Sequence, residues 1–196
     1  MTARLRAGLV AATLMAAALS ACGDPNEPIA RFATYADTLE LYALNGAPRG
    51  APTALRLLAG VGFGAAVPTD ASLQFDVAVD IDAQGRPVLY PIRAVAAPFL
   101  GRHRVGIQKT DRGFDSIVEA PTSGYTHDSV TVVTVGQVLL LESADPDACS
   151  VFLGGGVIYA KMVVDSIRTD TRRLYVRVTG DPNCGFRSLV PGVPED

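Results

Sequence analysis

Few side chains in this sequence of 196 residues can do acid–base or nucleophilic chemistry: two histidines, His103 and His127, and three cysteines, Cys22, Cys149 and Cys184. His127-Asp128-Ser129 sets a base, an acid and a hydroxyl side by side. Neighbours on a strand point to opposite faces, so these three cannot form a relay among themselves. No G-x-S-x-G elbow presents a nucleophile elsewhere. A polar loop leading into a strand is the expected reading, with His103 as the other candidate base. Asp80, Asp82 and Gly85 begin a pattern able to wrap calcium, but Gln84 replaces an acid and Pro91 stands at the twelfth position. A hairpin turn with both acids in water is expected there, and carboxylates in water are unsuited to donating protons at neutral pH.

Three further stretches have a chemical and a structural reading. Gly154-Gly155-Gly156 lacks the Lys-Ser/Thr and the helix of a phosphate loop, so it is read as loosening the loop that holds Cys149. The glycine-broken apolar run Val61 to Val67 is either a flap over a greasy pocket or a bulged strand, and isolated glycines favour the bulge. Arg93, Arg102, Arg104, Lys109 and Arg112, with His103 among them, make the most basic stretch. It is a candidate surface for lipid phosphates or an acidic envelope polymer; its structural alternative is a solvated hairpin face. No Trp is present, which disfavours a sugar site built on stacking.

The N-terminus carries the most specific pattern. Arg4 and Arg6 precede an apolar stretch from Gly8 to Leu19, and Leu19-Ser20-Ala21-Cys22 follows. The stretch is too short to span a bilayer as a permanent helix. A charged start, a short apolar core and small residues make a secretory signal. With Cys at this place it resembles the signal and lipobox of bacterial lipoproteins. That resemblance implies removal of residues 1–21 and a diacylglyceryl thioether on Cys22. Acyl chains there would anchor the protein stably, each buried methylene contributing about 0.8 kcal/mol. Residues 22–30 then form the lipidated Cys and a short, proline-containing tether, and residues 31–196 a single domain. Gly23 is not the Asp that signals inner-membrane retention in enteric bacteria, which points to the outer membrane, facing the periplasm or the surface.

Cleavage would also change the charge. Losing Arg4 and Arg6, and no acid, takes 17 basic residues to 15 against 20 acidic ones, a net charge of −5. A net acidic, exported chain is a poor nucleic-acid binder. Cys149 and Cys184 remain as an even pair in an oxidising compartment, where a disulfide is expected; two buried free thiols are the other reading. With no C-x-x-C and only two histidines, no zinc site is expected, and no cofactor is implied.

From Arg31 onward the hydrophobic period is two. Leu73, Phe75, Val77, Val79 and Ile81 alternate with Ser72, Gln74, Asp76, Ala78, Asp80 and Asp82, which predicts one buried and one wet face. Residues 157–167 and 173–179 alternate likewise. Further strands are expected at 38–44, 88–95, 104–109, 114–119, 129–135 and 138–142, with Thr53 to Leu58 ambiguous between strand and helical turn. Pro91 demotes its strand to an edge or bulge. About nine strands joined by hairpins predict an all-β domain, an antiparallel sandwich or an open barrel, after an N-terminal signal-peptide helix. If strands 138–142, 157–167 and 173–179 form a meander, Cys149 and Cys184 fall at the same edge of it. The expected function is a non-catalytic binding or assembly module of the cell envelope, held to the membrane through Cys22 and meeting an envelope protein or small ligand. The alternatives are an envelope hydrolase using His103 or His127, and a purely structural component.

Overall fold

Eleven strands form among the residues described by the computed structural model, which are 29–59, 64–96, 103–145, 149 and 156–195. The expected signal-peptide helix, Cys22, residues 23–28, Arg102, Gly154 and Gly155 lie outside the described residues. In chain order the elements are β1 (Tyr35–Tyr42), β2 (Ala54–Leu55), β3 (Ala66–Val67), β4 (Val77–Ile81), β5 (Pro87–Pro91), the short helix α1 (Ile92–Ala96), β6 (Arg104–Thr110), β7 (Thr126–His127), β8 (Thr131–Val132), β9 (Val138–Ala144), β10 (Ile158–Arg168) and β11 (Arg173–Asp181). One sheet has the order β1-β11-β10-β9-β6-β7 and the other β3-β2-β4-β5-β8, with antiparallel pairing throughout. The fold is therefore an antiparallel β-sandwich and not a closed barrel.

The expected meander is present as β9, β10 and β11. Its inward side chains, among them Leu139, Leu141, Met162, Val176 and Val178, join Val77, Val79 and Leu89 of the second sheet in one core. Full burial of each such side chain contributes about 1.5–3 kcal/mol. A bulge in β10 keeps the pattern consistent: Val164 opposes Val176, but Ser166 opposes Tyr175 and Ile167 opposes Leu174. The extra residue puts Ile167 against the core where strict alternation would put Ser166.

The outer face of the larger sheet is not left to water. Val138, Leu140, Tyr159 and Val163 are covered by Ile117, Ala120 and Leu189, a second cluster built from the 114–120 segment and the C-terminal tail. Lys161 lies under this layer, where its Nζ donates to the Ile117 carbonyl at 2.7 Å and sits 4.8 Å from the Phe114 ring centroid. Burial lowers the Lys161 pKa.

Several sequence expectations change. The strand expected at 114–119 is a 3-10 turn, Phe114–Ser116, followed by one bridge between Glu119 and Ser188. The strand expected at 88–95 stops at Pro91, which has no N–H to continue a ladder, and α1 begins at the next residue. The expected strand 129–135 shrinks to β8. Thr53 to Leu58 resolves into β2. Of the run Val61 to Val67, residues 61–63 lie outside the described residues and Ala66–Val67 is a strand. The regular strand from Leu73 is confined to Val77–Ile81, because Leu73 has φ +53° and closes a turn onto Asp70.

The wet face assigned to that strand is also corrected. Asp76, Ala78 and Asp80 are buried. Both acids find partners from the larger sheet: Asp76 meets Ser143 on β9, and Asp80 accepts from Arg172 in the β10–β11 turn at 2.9 Å. Asp80 also accepts from the Asn45 side chain. Asp82 alone behaves as a turn acid, accepting from the N–H groups of Gln84 and Arg86 at 2.9 and 2.8 Å. Gly85, at φ +77°, supplies the left-handed residue of that hairpin.

Candidate functional site

A buried polar cluster joins the two sheets. Ser143 continues the inward positions of Leu139 and Leu141 on β9, and His103 immediately precedes β6. Asp76, just before β4, is fixed by its backbone: its N–H donates to the Leu55 carbonyl and its carbonyl accepts from Ile92, both at 2.8 Å. The Leu57 N–H donates to its Oδ2 at 2.6 Å. Asp76 Oδ1 then lies 3.0 Å from His103 Nε2, which is 3.1 Å from Ser143 Oγ, and the Ser143 hydroxyl donates to the same Oδ1.

These are the residue types of a hydrolytic triad in a different geometry. A Ser-His-Asp relay needs the hydroxyl and the carboxylate on opposite ring nitrogens. Here both meet Nε2, so the serine proton is committed to the carboxylate and not to the imidazole. The adjoining recess, bounded by Arg56, Gln74 and Asp145 among others, holds about 30 Å³. That is room for water and not for a substrate carbonyl with its flanking groups. Burial favours neutral His103, but the hydrogen bond and charge of Asp76, with the charges of Asp145 and Asp128, outweigh it and raise the pKa above its ordinary value.

His127 lies elsewhere, on the outer face of the larger sheet. Gly106 on β6 is in register with His127 on one side and Glu142 on the other. With no side chain between them, His127 Nε2 reaches across β6 to Glu142 Oε1. Tyr125 and Tyr159 flank the pair, with ring centroids 6.2 Å apart, and the pKa of each is raised by burial and by Glu142. Ser129 Oγ donates to the His127 carbonyl and not to its ring. Asp128, at φ +53°, turns away to hold the Val105 N–H at 3.2 Å and to pair with Arg93 at 3.4 Å. Adjacent His127, Asp128 and Ser129 thus serve three different contacts.

The basic stretch is dispersed. Arg93 and Arg104 share Asp128. Lys109 Nζ donates to the Val132 carbonyl at 2.7 Å and Arg112 to the Ser116 carbonyl at 2.9 Å. Arg104 and Thr110 are the two ends of β6, about 20 Å apart at a strand's rise per residue. No common anion cradle forms among the described members of the set.

The larger opening lies at the sandwich edge, where the chain leaves β7 in one sheet and enters β8 in the other. A groove of about 620 Å³ is lined there by Gln108, Lys109, Thr126, Ser129, Val130 and Thr131, among others. Its chemistry is hydroxyls, one ammonium and branched apolar surface. Gln108 Oε1 is buried beside it without a hydrogen-bond donor. An acceptor in that condition costs about 1–3 kcal/mol.

The disulfide joins Cys149 and Cys184 with Cα atoms 5.8 Å apart. Gly156 packs so closely here that a Cβ would meet the Gly185 nitrogen at 2.8 Å, so this glycine serves close approach. In comparisons with protein-family models, curated proteins and solved structures, nothing matches this chain.

Sequence reasoning missed Asp76 and Ser143. The available signal was Ser143, whose place on the inward face of an apolar strand requires a buried polar partner.

Proposed function

We propose that this protein is a lipoprotein of the bacterial cell envelope, anchored through Cys22, whose β-sandwich acts as a non-catalytic binding or assembly module. The observation that carries the binding reading is the edge groove with its unsatisfied Gln108 acceptor. The histidine cluster, by contrast, adjoins a recess of only about 30 Å³, and Asp76, His103 and Ser143 bond to one another. Pockets of a few hundred cubic ångströms with few convergent polar groups are the usual form of a binding site. The anchor rests on Leu19-Ser20-Ala21-Cys22 and the charged, apolar segment before it.

A test uses cells making the full chain with a photo-crosslinking residue at Val130. A discrete adduct is expected, and it should weaken several-fold when Gln108→Leu removes the free acceptor. Acyl mass on Cys22 and release from membranes on Cys22→Ala are expected alongside. No adduct, or one indifferent to Gln108→Leu, would reject the groove; unchanged fractionation without acyl mass would reject the anchor. The second reading, an envelope hydrolase, is favoured only by the presence of Asp76, His103 and Ser143 in one cluster. Turnover in a broad hydrolase screen, lost in the double variant His103→Ala, His127→Ala, would establish it instead.

A further inference from the structure

We infer that the surface formed by Val118, Val190 and Val193 beside Thr34 is the side of the domain that rests on the membrane. This deepens the anchored reading and rests on it. The chain enters the domain at a defined place. The N–H groups of Arg31 and Phe32 donate to Asn183 Oδ1 at 2.8 and 3.0 Å, and the Thr34 N–H donates to the Gly192 carbonyl at 2.8 Å. Cys22 and Arg31 are nine residues apart, so a lipid on Cys22 holds Arg31 within about 30 Å of the bilayer surface, even fully extended.

At that entry point the surface is apolar. Val118, Val190 and Val193 are 55%, 40% and 53% exposed. Backbone bonds bring their segments together. The Leu189 N–H donates to the Val118 carbonyl, and the Val190 carbonyl accepts from the Thr34 hydroxyl. Gly192, next to Val193, holds the Thr34 N–H. The charges nearby in sequence lean acidic, two basic residues (Arg31, Arg187) against three acidic ones (Glu119, Glu195, Asp196). Arg187 pairs with Glu119, while Arg31 and Glu195 are exposed. Exposed valines beside an excess of acidic residues fit zwitterionic headgroups better than an acidic polymer, which those residues would repel. Three valines bury too little area to hold a protein on a bilayer alone. A short tether supplies the effective concentration that makes so weak a contact count.

The test uses full-length, acylated protein carrying an environment-sensitive fluorophore on Val190→Cys, Val193→Cys or, as comparison, Val135→Cys. Val135 is 50% exposed in the turn before β9. The protein is reconstituted in phosphatidylcholine–phosphatidylethanolamine vesicles containing lipids brominated near the headgroup end of the acyl chain. Quenching at Val190 and Val193 is expected to exceed that at Val135 by at least about twofold, since the apolar face should reach the headgroup–acyl boundary. Equal quenching at the three sites, or none at Val190 and Val193, in protein whose Cys22 carries acyl mass, would overturn this orientation and leave the anchor standing. Absence of the acyl mass would overturn the anchored reading and this inference with it.

Discussion

At the scale of single residues, His103 has the clearest physical consequence. Its raised pKa means that the folded state binds the imidazole proton more tightly than the unfolded chain does. The stabilisation it gives is therefore complete below the unfolded value, about 6.5, and is lost as pH rises through the higher folded value. His103→Gln should accordingly cost most stability in mildly acidic solution, and the gap to the wild type should narrow with rising pH. Urea denaturation of both proteins across that range measures it, and NMR titration of the His103 ring should give a midpoint above the ordinary one. A gap that widens as pH rises would contradict the cluster. This residue set was only half legible in the sequence. His103 stands out as one of two histidines, but Asp76 reads as a solvent residue because alternation alone decides only which positions share a face. It cannot tell that Asp76 and Asp80, near the two ends of β4, reach partners carried by the other sheet, where ion pairs and hydrogen bonds offset the cost of burying them.

At the scale of elements, what was legible follows local periodicity, and what was not depends on long-range covering. The meander β9-β10-β11 is read directly, because each strand repeats at period two and the turns between have their own residues. The Phe114–Ser116 turn and β8 are misread because apolar residues there serve a second layer or a short edge, which leaves no periodic signature. Gly106 shows how register gives a glycine meaning that sequence position does not. It separates His127 from Glu142, and an added Cβ would stand 2.8 Å from the Glu142 Cγ and the Tyr125 Cβ. Gly106→Ala is expected to destabilise by about 1–3 kcal/mol through overpacking and to break the His127–Glu142 contact. Gly113→Ala, where the nearest atom to an added Cβ is the Ser116 Oγ at 3.8 Å, should be nearly neutral. Thermal unfolding of the pair decides, and equal melting temperatures would show that the outer face is looser than its packing implies.

At the scale of the whole molecule, the disulfide and the chain's entry point belong to one device. The cysteine pairing was legible from compartment and count, but the company it keeps was not. Asn183 has no periodic signature, yet its side chain holds Arg31 and Phe32, and its Nδ2 donates to Asp181 Oδ1 at 2.7 Å. The neighbouring residue, Cys184, is tied to Cys149 beyond the end of β9. The tail that follows bonds back to Val118 and Thr34. The crosslink thus braces the segment that grips the chain where it enters the domain. Replacing both cysteines by serine releases a sequence separation of 35 residues, worth about 3–4 kcal/mol in the chain-entropy account. The sandwich core, in which Cys149 is one buried member among many, is large enough to fold without the bond. The double variant should therefore melt at a lower temperature but still cooperatively. Hydrogen exchange should locate the loss: the Gly185 and Leu189 amides, bonded to Val157 and Val118, should exchange much faster while β10 and β11 amides change only by the global shift. Uniform acceleration across the sandwich would mean that the bond stabilises the fold as a whole and does not brace the tail, and loss of cooperative unfolding would mean that the core depends on it.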